Sequence, residues 1–319
     1  MINKLRVQCR KYSRALQRAV TDFGADSSFE EAVEKMKEHY GLTVPGEMIR
    51  KITERHAETI ANWRPKKEAV SAKLLMAEMD GSMVPIVEVE KKTEGIDVRK
   101  TRRVCWKEAK LCFARSQNKI DRVYGAVIGS PGEAGKRLYE CAKRAGLTEE
   151  TYIHGLGDGA PWIVEQFDEH FGTQAHFLID FFHTCEYLSE AGIWCNALDP
   201  KGWLKEKKEI LKEGACEEIL KELKIRISEL DKVPDDSGIV KCVRYMEKRI
   251  KYMDYGKAKE KKLPIGSGEI ESSHRHIIQK RLKISGAWWK TENANAMLQL
   301  RVARANGYWE GYWDEKKAA

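Results

Sequence analysis

The chain lacks any C-x-x-C pair, although eight cysteines (Cys9, Cys105, Cys112, Cys141, Cys185, Cys195, Cys216, Cys242) are spread over its 319 residues. Scattered single cysteines form neither a zinc-binding pattern nor a disulfide framework, and they suit a reducing compartment. No apolar run approaches the ~20 residues that cross a bilayer, and no signal peptide precedes the basic start. A cytoplasmic protein without a membrane partner is expected. Acids are also missing from residues 1–21, which carry Lys4, Arg6, Arg10, Lys11, Arg14 and Arg18. That stretch reads either as a solvated basic helix or as an arm contacting phosphates. Over the whole chain Lys and Arg outnumber Asp and Glu by 57 to 49, a net charge of +8 that fits a polyanion partner.

What is present suffices for about two domains and a substantial core. Ser28-Phe-Glu-Glu31 has the form of a capping box, followed by a helical face of Phe29, Ala32, Val33, Met36 and Tyr40 that Gly41 ends. A short link through Pro45 leads to a second helix with Met48, Ile49 and Ile52 inward and Arg50, Lys51 and Arg55 outward. Two short helices around a Gly-containing turn, the second one basic, make a helix-turn-helix candidate over residues 1–65. A polar linker follows. Lys73–Glu90 reads as a strand, a turn at Asp80-Gly81 and a returning strand. Further strands are expected at Val104–Ala114 and Val123–Ile128, and a helix at Gly132–Ala145 with Gly146 as its C-terminal cap.

The organising stretch is Ile153-His-Gly-Leu-Gly-Asp158-Gly-Ala-Pro-Trp162, followed by Leu178-Ile-Asp180-Phe-Phe-His183. A strand runs into a Gly-rich turn tipped by one carboxylate, a helix follows from Ala160, and a second strand ends in Asp180 and His183. This order presents acids at the C-terminal edge of a mixed sheet flanked by helices, which is the α/β class. Residues 66–188 thus form the first part of a core. Residues 189–262, rich in Lys and Glu with helical spacing and no strand pattern, read as an all-α insertion. Residues 263–319 return to the core through a helix opened by Ser267 as its cap. Glu269 lies close enough to that helix start to favour its positive end. The helix carries Glu271, Arg275, Lys280 and Arg281 ahead of Trp288 and Trp289. Adjacent tryptophans beside basic residues can stack on unpaired bases or fill a core.

Asp80, Asp158 and Glu271 are far apart in sequence, and a mixed sheet can bring them together. Carboxylates are the donors that Mg²⁺ and Mn²⁺ favour, and two such ions can activate one oxygen and stabilise another in phosphoryl transfer.

Asp80-Gly-Ser-Met-Val-Pro, Leu156-Gly-Asp158-Gly-Ala-Pro-Trp-Ile, Ile179-Asp-Phe-Phe-His183 and Pro264-Ile-Gly-Ser-Gly-Glu-Ile-Glu271 resemble, in this order, the signatures of bacterial insertion-sequence transposases. These are the DDE transposases, related to the Mutator-like group. The resemblance covers roughly Leu74–Leu188 and Leu263–Trp313. It implies a ribonuclease-H-like core with Asp80, Asp158 and Glu271 as catalytic triad and ligands of two Mg²⁺ or Mn²⁺ ions. Asp180 and His183 would support that site. The implied partner is double-stranded DNA, both transposon ends and target, bound by a homo-oligomer. Arg50, Lys51, Arg55, Arg275, Lys280, Arg281, Trp288 and Trp289 are the expected DNA contacts. Glu269 departs from the pattern, which usually has an aliphatic residue there. Two rivals stand beside transposition: a metal-dependent nuclease on the same core, and an inactive helix-turn-helix DNA-binding protein.

Overall fold

The computed structural model describes residues 12–65, 69–89 and 101–318. Most of the acid-free arm lies outside the described residues. Its end enters helix α1 (Arg14–Asp26), capped by the Ser13 hydroxyl, which accepts from the Leu16 amide. Helix α2 (Phe29–Tyr40) starts where expected, with the Ser28 hydroxyl accepting from the Glu31 amide, and stops at Gly41, whose φ of 64° suits a residue without a Cβ. Helix α3 (Gly46–Ala61) packs on both, and Val20, Ala32, Met36, Val44, Ile49 and Ile52 make a small core between them. The expectation that α3 is basic needs correction. Glu47, Glu54 and Glu58 balance Arg50, Lys51 and Arg55. Arg50 bonds Glu54 at 2.7 Å, Lys51 pairs with Glu47 at 2.8 Å, and Arg55 donates to Gln17.

The expected turn at Asp80-Gly81 does not form. Strand β1 (Leu74–Val89) runs through it as one 16-residue strand, with Asp80 and Gly81 paired to Leu111 and Lys110 of strand β2 (Arg102–Ser116). A continuous cross-strand ladder outweighs the turn preference of the dipeptide. Strand β3 (Val123–Val127), helix α4 (Pro131–Ala145), strand β4 (Tyr152–Gly157), helix α5 (Pro161–Phe171) and strand β5 (Ala175–Ile179) follow in the expected order. The sheet order is β3–β2–β1–β4–β5, antiparallel from β3 to β1 and parallel from β1 through β4 to β5. Helices α4 and α5 cover one face, where Met79, Cys112, Leu138, Ile163 and Phe167 are buried. Gly155 of β4 makes this packing possible, since a Cβ there would stand 2.6 Å from the Phe167 ring. Beyond Asp80, β1 and β2 continue as a two-stranded ribbon past the last residues paired to β3 and β4.

Between β5 and the last sixth or so of the chain come only helices: α6 (Phe181–Cys195), α7 (Pro200–Lys212), α8 (Cys216–Glu229), α9 (Gly238–Arg249) and α10 (Tyr255–Glu260). Their Leu188, Trp203, Leu223, Val243 and Tyr255 join the same apolar cluster as the sheet residues Met79 and Phe177. The chain then returns to the second sheet face with α11 (Gly268–His274), a π-helical turn at Arg275–Gln279, α12 (Lys280–Leu282) and α13 (Thr291–Ala305), ending in α14 (Trp309–Ala318). Ile270, Ile277, Leu282 and Met297 cover Val84, Ile86, Leu111 and Phe113 there, together with Ala57 and Ile60 of α3. The two ends of the chain are therefore joined. Arg281 donates to Gly24 O at 2.9 Å, Arg304 pairs with Asp22, and His56 meets the Tyr312 hydroxyl. No described helix is long and apolar enough to cross a membrane.

Two expected DNA contacts are buried in this arrangement. Arg281 is 2% exposed, its guanidinium stacked 4.8 Å from both the Phe29 and Trp289 rings, and burial lowers its pKa to about 10. Trp289 itself bridges to Ile86 of the ribbon. Both belong to the core. Arg275, Lys280 and Trp288 remain on the surface, with Arg102 5.9 Å from the Trp288 ring centre.

Candidate active site

Strand register places the acids. Glu78 pairs with Leu156 and Leu156 with Leu178 in the parallel part of the sheet. Two positions further along each chain stand Asp80, Asp158 and Asp180, on neighbouring strands about 4.8 Å apart. Side chains in register share a face, and this one is the face that α11 crosses. The strands are still adjacent just before the acids, for a Cβ on Gly157 would lie 3.2 Å from Met79 O. Asp158 then leaves the strand. Its Oδ1 accepts from the Ala160 amide at 2.8 Å in an Asx turn, and Gly159 takes a φ of 79°.

The loop carrying Asp158 is held from the helical segment. The Tyr245 hydroxyl of α9 donates to Asp158 O at 3.1 Å, and Arg249 Nε donates to Gly159 O at 2.9 Å. Tyr245 stacks on Tyr187 with 4.0 Å between ring centres, and Arg249 lies over its ring. His183 stands edge-on to both tyrosines with Nδ1 3.2 Å from Glu186.

Asp180 is 2% exposed and fully engaged. Oδ1 accepts from the His183 amide, and Oδ2 accepts from both the amide and the hydroxyl of Ser267. The Ser267 hydroxyl is thus committed to Asp180 and does not cap α11, contrary to the sequence expectation. A different acid takes that role: Glu78 on β1 accepts from the Ile270 amide at 2.8 Å. Burial pushes the Glu78 pKa up to about 8, against the pull of that hydrogen bond. His154 Nε2 donates to Pro264 O at 2.7 Å and fixes the approach to the helix; burial pulls its pKa down to about 4. Two carboxylates, Asp180 and Glu78, thereby fasten the start of α11 across three strands.

This fastening orients the two glutamates of α11 in opposite directions. Glu269 faces β2 and β3, where Arg115 grips it with Nε at 3.0 Å and Nη2 at 2.5 Å, and Arg122 Nε adds a third bond at 2.5 Å. Burial works against its charge, yet the two guanidiniums hold its pKa below the usual carboxylate range. Glu269 is therefore an anchor to two arginines, where the sequence offered only a dipole contact. Glu271 lies about 200° around the helix from Glu269 and so faces away from Arg115 and Arg122. It is exposed and makes no ion pair among the described residues. One turn on, the buried His274 brings Nε2 to 3.1 Å from Asp80 Oδ2, an ion-pair distance without hydrogen-bond geometry.

The strand register thus sets the positions of Asp80 and Asp158 side by side, Glu271 lies on the helix that crosses the Glu78 face of the sheet, and Asp180 holds the start of that helix. Among the described residues, no three His, Cys, Asp or Glu side chains already converge on one metal-sized point. Arg50, Lys51 and Arg55 lie on the N-terminal helices, away from this edge. Glu78, Tyr245, Arg249, Arg115 and Arg122 were missed from sequence. Only Glu78 left a signal there, as a lone acid in the apolar strand run Leu74–Met79, on the same face as Asp80.

The family described as "Uncharacterised protein family (UPF0236)" matches residues 7–317. No curated protein matches significantly. Among solved structures the chain is similar to one titled "Crystal structure of NurA with manganese", at 12% identity, spanning 90% of this chain and 66% of that one, with a TM-score of 0.16 that carries no argument.

Proposed function

The chain belongs to the family UPF0236, whose name assigns no reaction, and we propose that this member is a metal-dependent DNA transposase of the DDE type on a ribonuclease-H-like core. The observation that carries the reading is the shared level of Asp80 and Asp158 at the ends of neighbouring parallel pairings, with Glu269 consumed by arginines and Glu271 on the other side of the same helix. An antiparallel meander extended by two parallel strands supports the ribonuclease-H-like reading.

The donor set fits hard divalent cations. Asp158 uses one carboxylate oxygen on the Ala160 amide, Glu271 makes no ion pair among the described residues, and the imidazole of His274 stands beside Asp80. Asp80, Asp158 and Glu271 would hold two Mg²⁺ or Mn²⁺ ions. Such ions, when bound, stabilise charge on a phosphate and acidify the attacking water. The chain's own part is placement. Asp180 and Glu78 fix the helix bearing Glu271, and Tyr245 and Arg249 fix the loop bearing Asp158. Water attacks the phosphorus at a transposon end and the bond to the 3′ oxygen breaks, freeing a 3′-hydroxyl. That hydroxyl attacks a target phosphodiester, whose own 3′ oxygen leaves. Exposed Arg275 and Lys280 beside the site can bind backbone phosphates, and the α2–α3 pair serves as the proposed helix-turn-helix. Double-stranded DNA is the partner, and two ends joined in one event call for a homo-oligomer.

The test incubates purified protein with duplexes carrying the inverted repeats that flank its gene, with Mg²⁺ or Mn²⁺. Cleaved ends and joined products are expected, and both disappear in Asp80→Asn and Asp158→Asn proteins that still melt cooperatively. Cleaved but never joined ends would make the protein a nuclease; cleavage that survives in both variants would remove the acids from the chemistry.

A further inference from the structure

Phe182 is 64% exposed, although Phe181 beside it is buried in the core. This phenyl ring, at the second position of α6, meets the Phe181 ring edge-on at 5.5 Å and leaves most of its own surface in water. Its place is defined by Gly266, where a Cβ would lie 2.8 Å from Phe182 Cε2 and 3.6 Å from Asp180 Oδ2. The ring therefore stands against the segment that leads into α11, directly beside the carboxylate that fastens it. Asp180 is the strand neighbour of Asp158. Phe182 thus borders the acids on their β5 side.

The surroundings are cationic and discontinuous in apolar surface. Lys212 of α7 holds its ammonium 5.8 Å from the ring of Phe181, and Lys208 acts electrostatically on Cys185 one turn along α6. Arg275 is exposed one turn beyond Glu271. Further along the same face of α6, Glu186, Ser189 and Glu190 separate Phe182 from the exposed Ile193, so the two do not form the contiguous apolar patch that a protein partner would require. Phe182 presents one exposed aromatic face, with the Lys212 ammonium over the neighbouring Phe181 ring. An aromatic face next to a cation is how proteins hold unpaired bases, the ring taking the base face and the cation the phosphate.

We propose that Phe182 is a stacking platform for an unpaired base of the DNA strand, next to the phosphate held at Asp80, Asp158 and Glu271. The inference rests on the functional reading above and adds that the strand is locally unpaired where it is cut. Fully paired ends must open one step to reach the ring, whereas ends with a mismatch at that step meet it directly.

The experiment uses the full chain and duplex ends with 5-iodouracil scanned across the cut, bound in Ca²⁺ and irradiated, together with cleavage kinetics in Mg²⁺. A crosslink to Phe182 from one position is expected, lost in Phe182→Ala. KM should rise roughly five- to a hundredfold in Phe182→Ala at unchanged kcat, and Phe182→Trp should restore it. Phe182 is exposed, and thermal melting of each variant checks that its fold is intact. A wild-type chain that cleaves while Phe182→Ala shows unchanged KM and the same crosslinks overturns this inference alone. A wild-type chain that neither binds nor cleaves the ends overturns the functional reading and takes the inference with it.

Discussion

Glutamine at Glu269 and, separately, at Glu271 should split stability from activity. Glu269 accepts three charge-assisted hydrogen bonds from two arginines, with its side chain 25% exposed and that of Arg115 16% exposed. A hydrogen bond to a charged group contributes ~1.5–3 kcal/mol, and removing one member of a buried ion pair costs ~3–5 kcal/mol. The amide keeps one acceptor oxygen, turns an NH₂ toward a guanidinium, and leaves partial access for water. A loss of ~2–4 kcal/mol follows for Glu269→Gln. Position at a helix start would by itself contribute only ~0.3–1 kcal/mol. Glu271 is exposed and has no ion-pair partner among the described residues, and its replacement should stay within ~0.5 kcal/mol. Urea unfolding reads one axis and Mg²⁺-dependent cleavage the other. Glu269→Gln is expected to lower the midpoint at constant slope and to keep cutting at low temperature; Glu271→Gln is expected to keep the midpoint and stop cutting. A Glu269→Gln protein as stable as wild type would refute the anchoring argument, and an active Glu271→Gln would refute the site.

Tyr245→Phe and Arg249→Gln each release one carbonyl of the Asp158 loop, and should lower kcat roughly five- to tenfold and raise the Mn²⁺ needed for half-maximal rate; an unmoved metal dependence would show that the loop holds itself. His154 stays neutral when folded because its pKa lies near 4, below the ordinary value of 6.5. The unfolded chain therefore takes up the proton first, and stability falls as pH drops from about 6.5 toward 4, by up to ~3 kcal/mol at the acid end. Urea midpoints across that range should flatten in His154→Gln, and an unchanged acid limb would put the sensitivity elsewhere. Reversing Arg275 and Lys280 to Glu should weaken DNA binding and reduce its salt slope by about one per lost phosphate contact, more than the same change at Arg50 and Lys51, whose charges Glu47 and Glu54 already balance. Anisotropy titrations at several salt concentrations compare the two pairs directly.

Local chemistry made much of the fold legible. Ser28, Gly41, Gly146 and Gly307 mark helix ends because their side chains, or lack of one, act within a turn of themselves. The strand–turn–helix around Asp158 was legible for the same reason. Asp80-Gly81 misled because its conformation is decided by Leu111 and Lys110, some thirty residues away on β2. Arg281 and Trp289 misled because charge and aromaticity do not announce which side of a helix another part of the chain will cover. Asp80, Asp158 and Glu271 could be singled out in the sequence as a candidate triad. The groups that orient them could not, since Glu78, Tyr245 and Arg249 act at 192, 87 and 90 residues' distance, and no spacing encodes such pairs.

The joining of the two chain ends has a consequence for how the molecule comes off the ribosome. Gly24 waits for Arg281, which is synthesised 257 residues later. At ~5–20 residues per second that interval lasts about 13–50 s. Throughout it Ala57 and Ile60 present their apolar side to water or to a chaperone, since Met297 and Leu300 of the same cluster do not yet exist. The helix of Glu271 is equally late, because its fastening to Asp180 and Glu78 needs residues beyond Pro264. A nascent chain thus holds two aspartates without their third partner. On the proposed reading the site is completed only with the last sixth or so of the chain, after which the last helices close over the first.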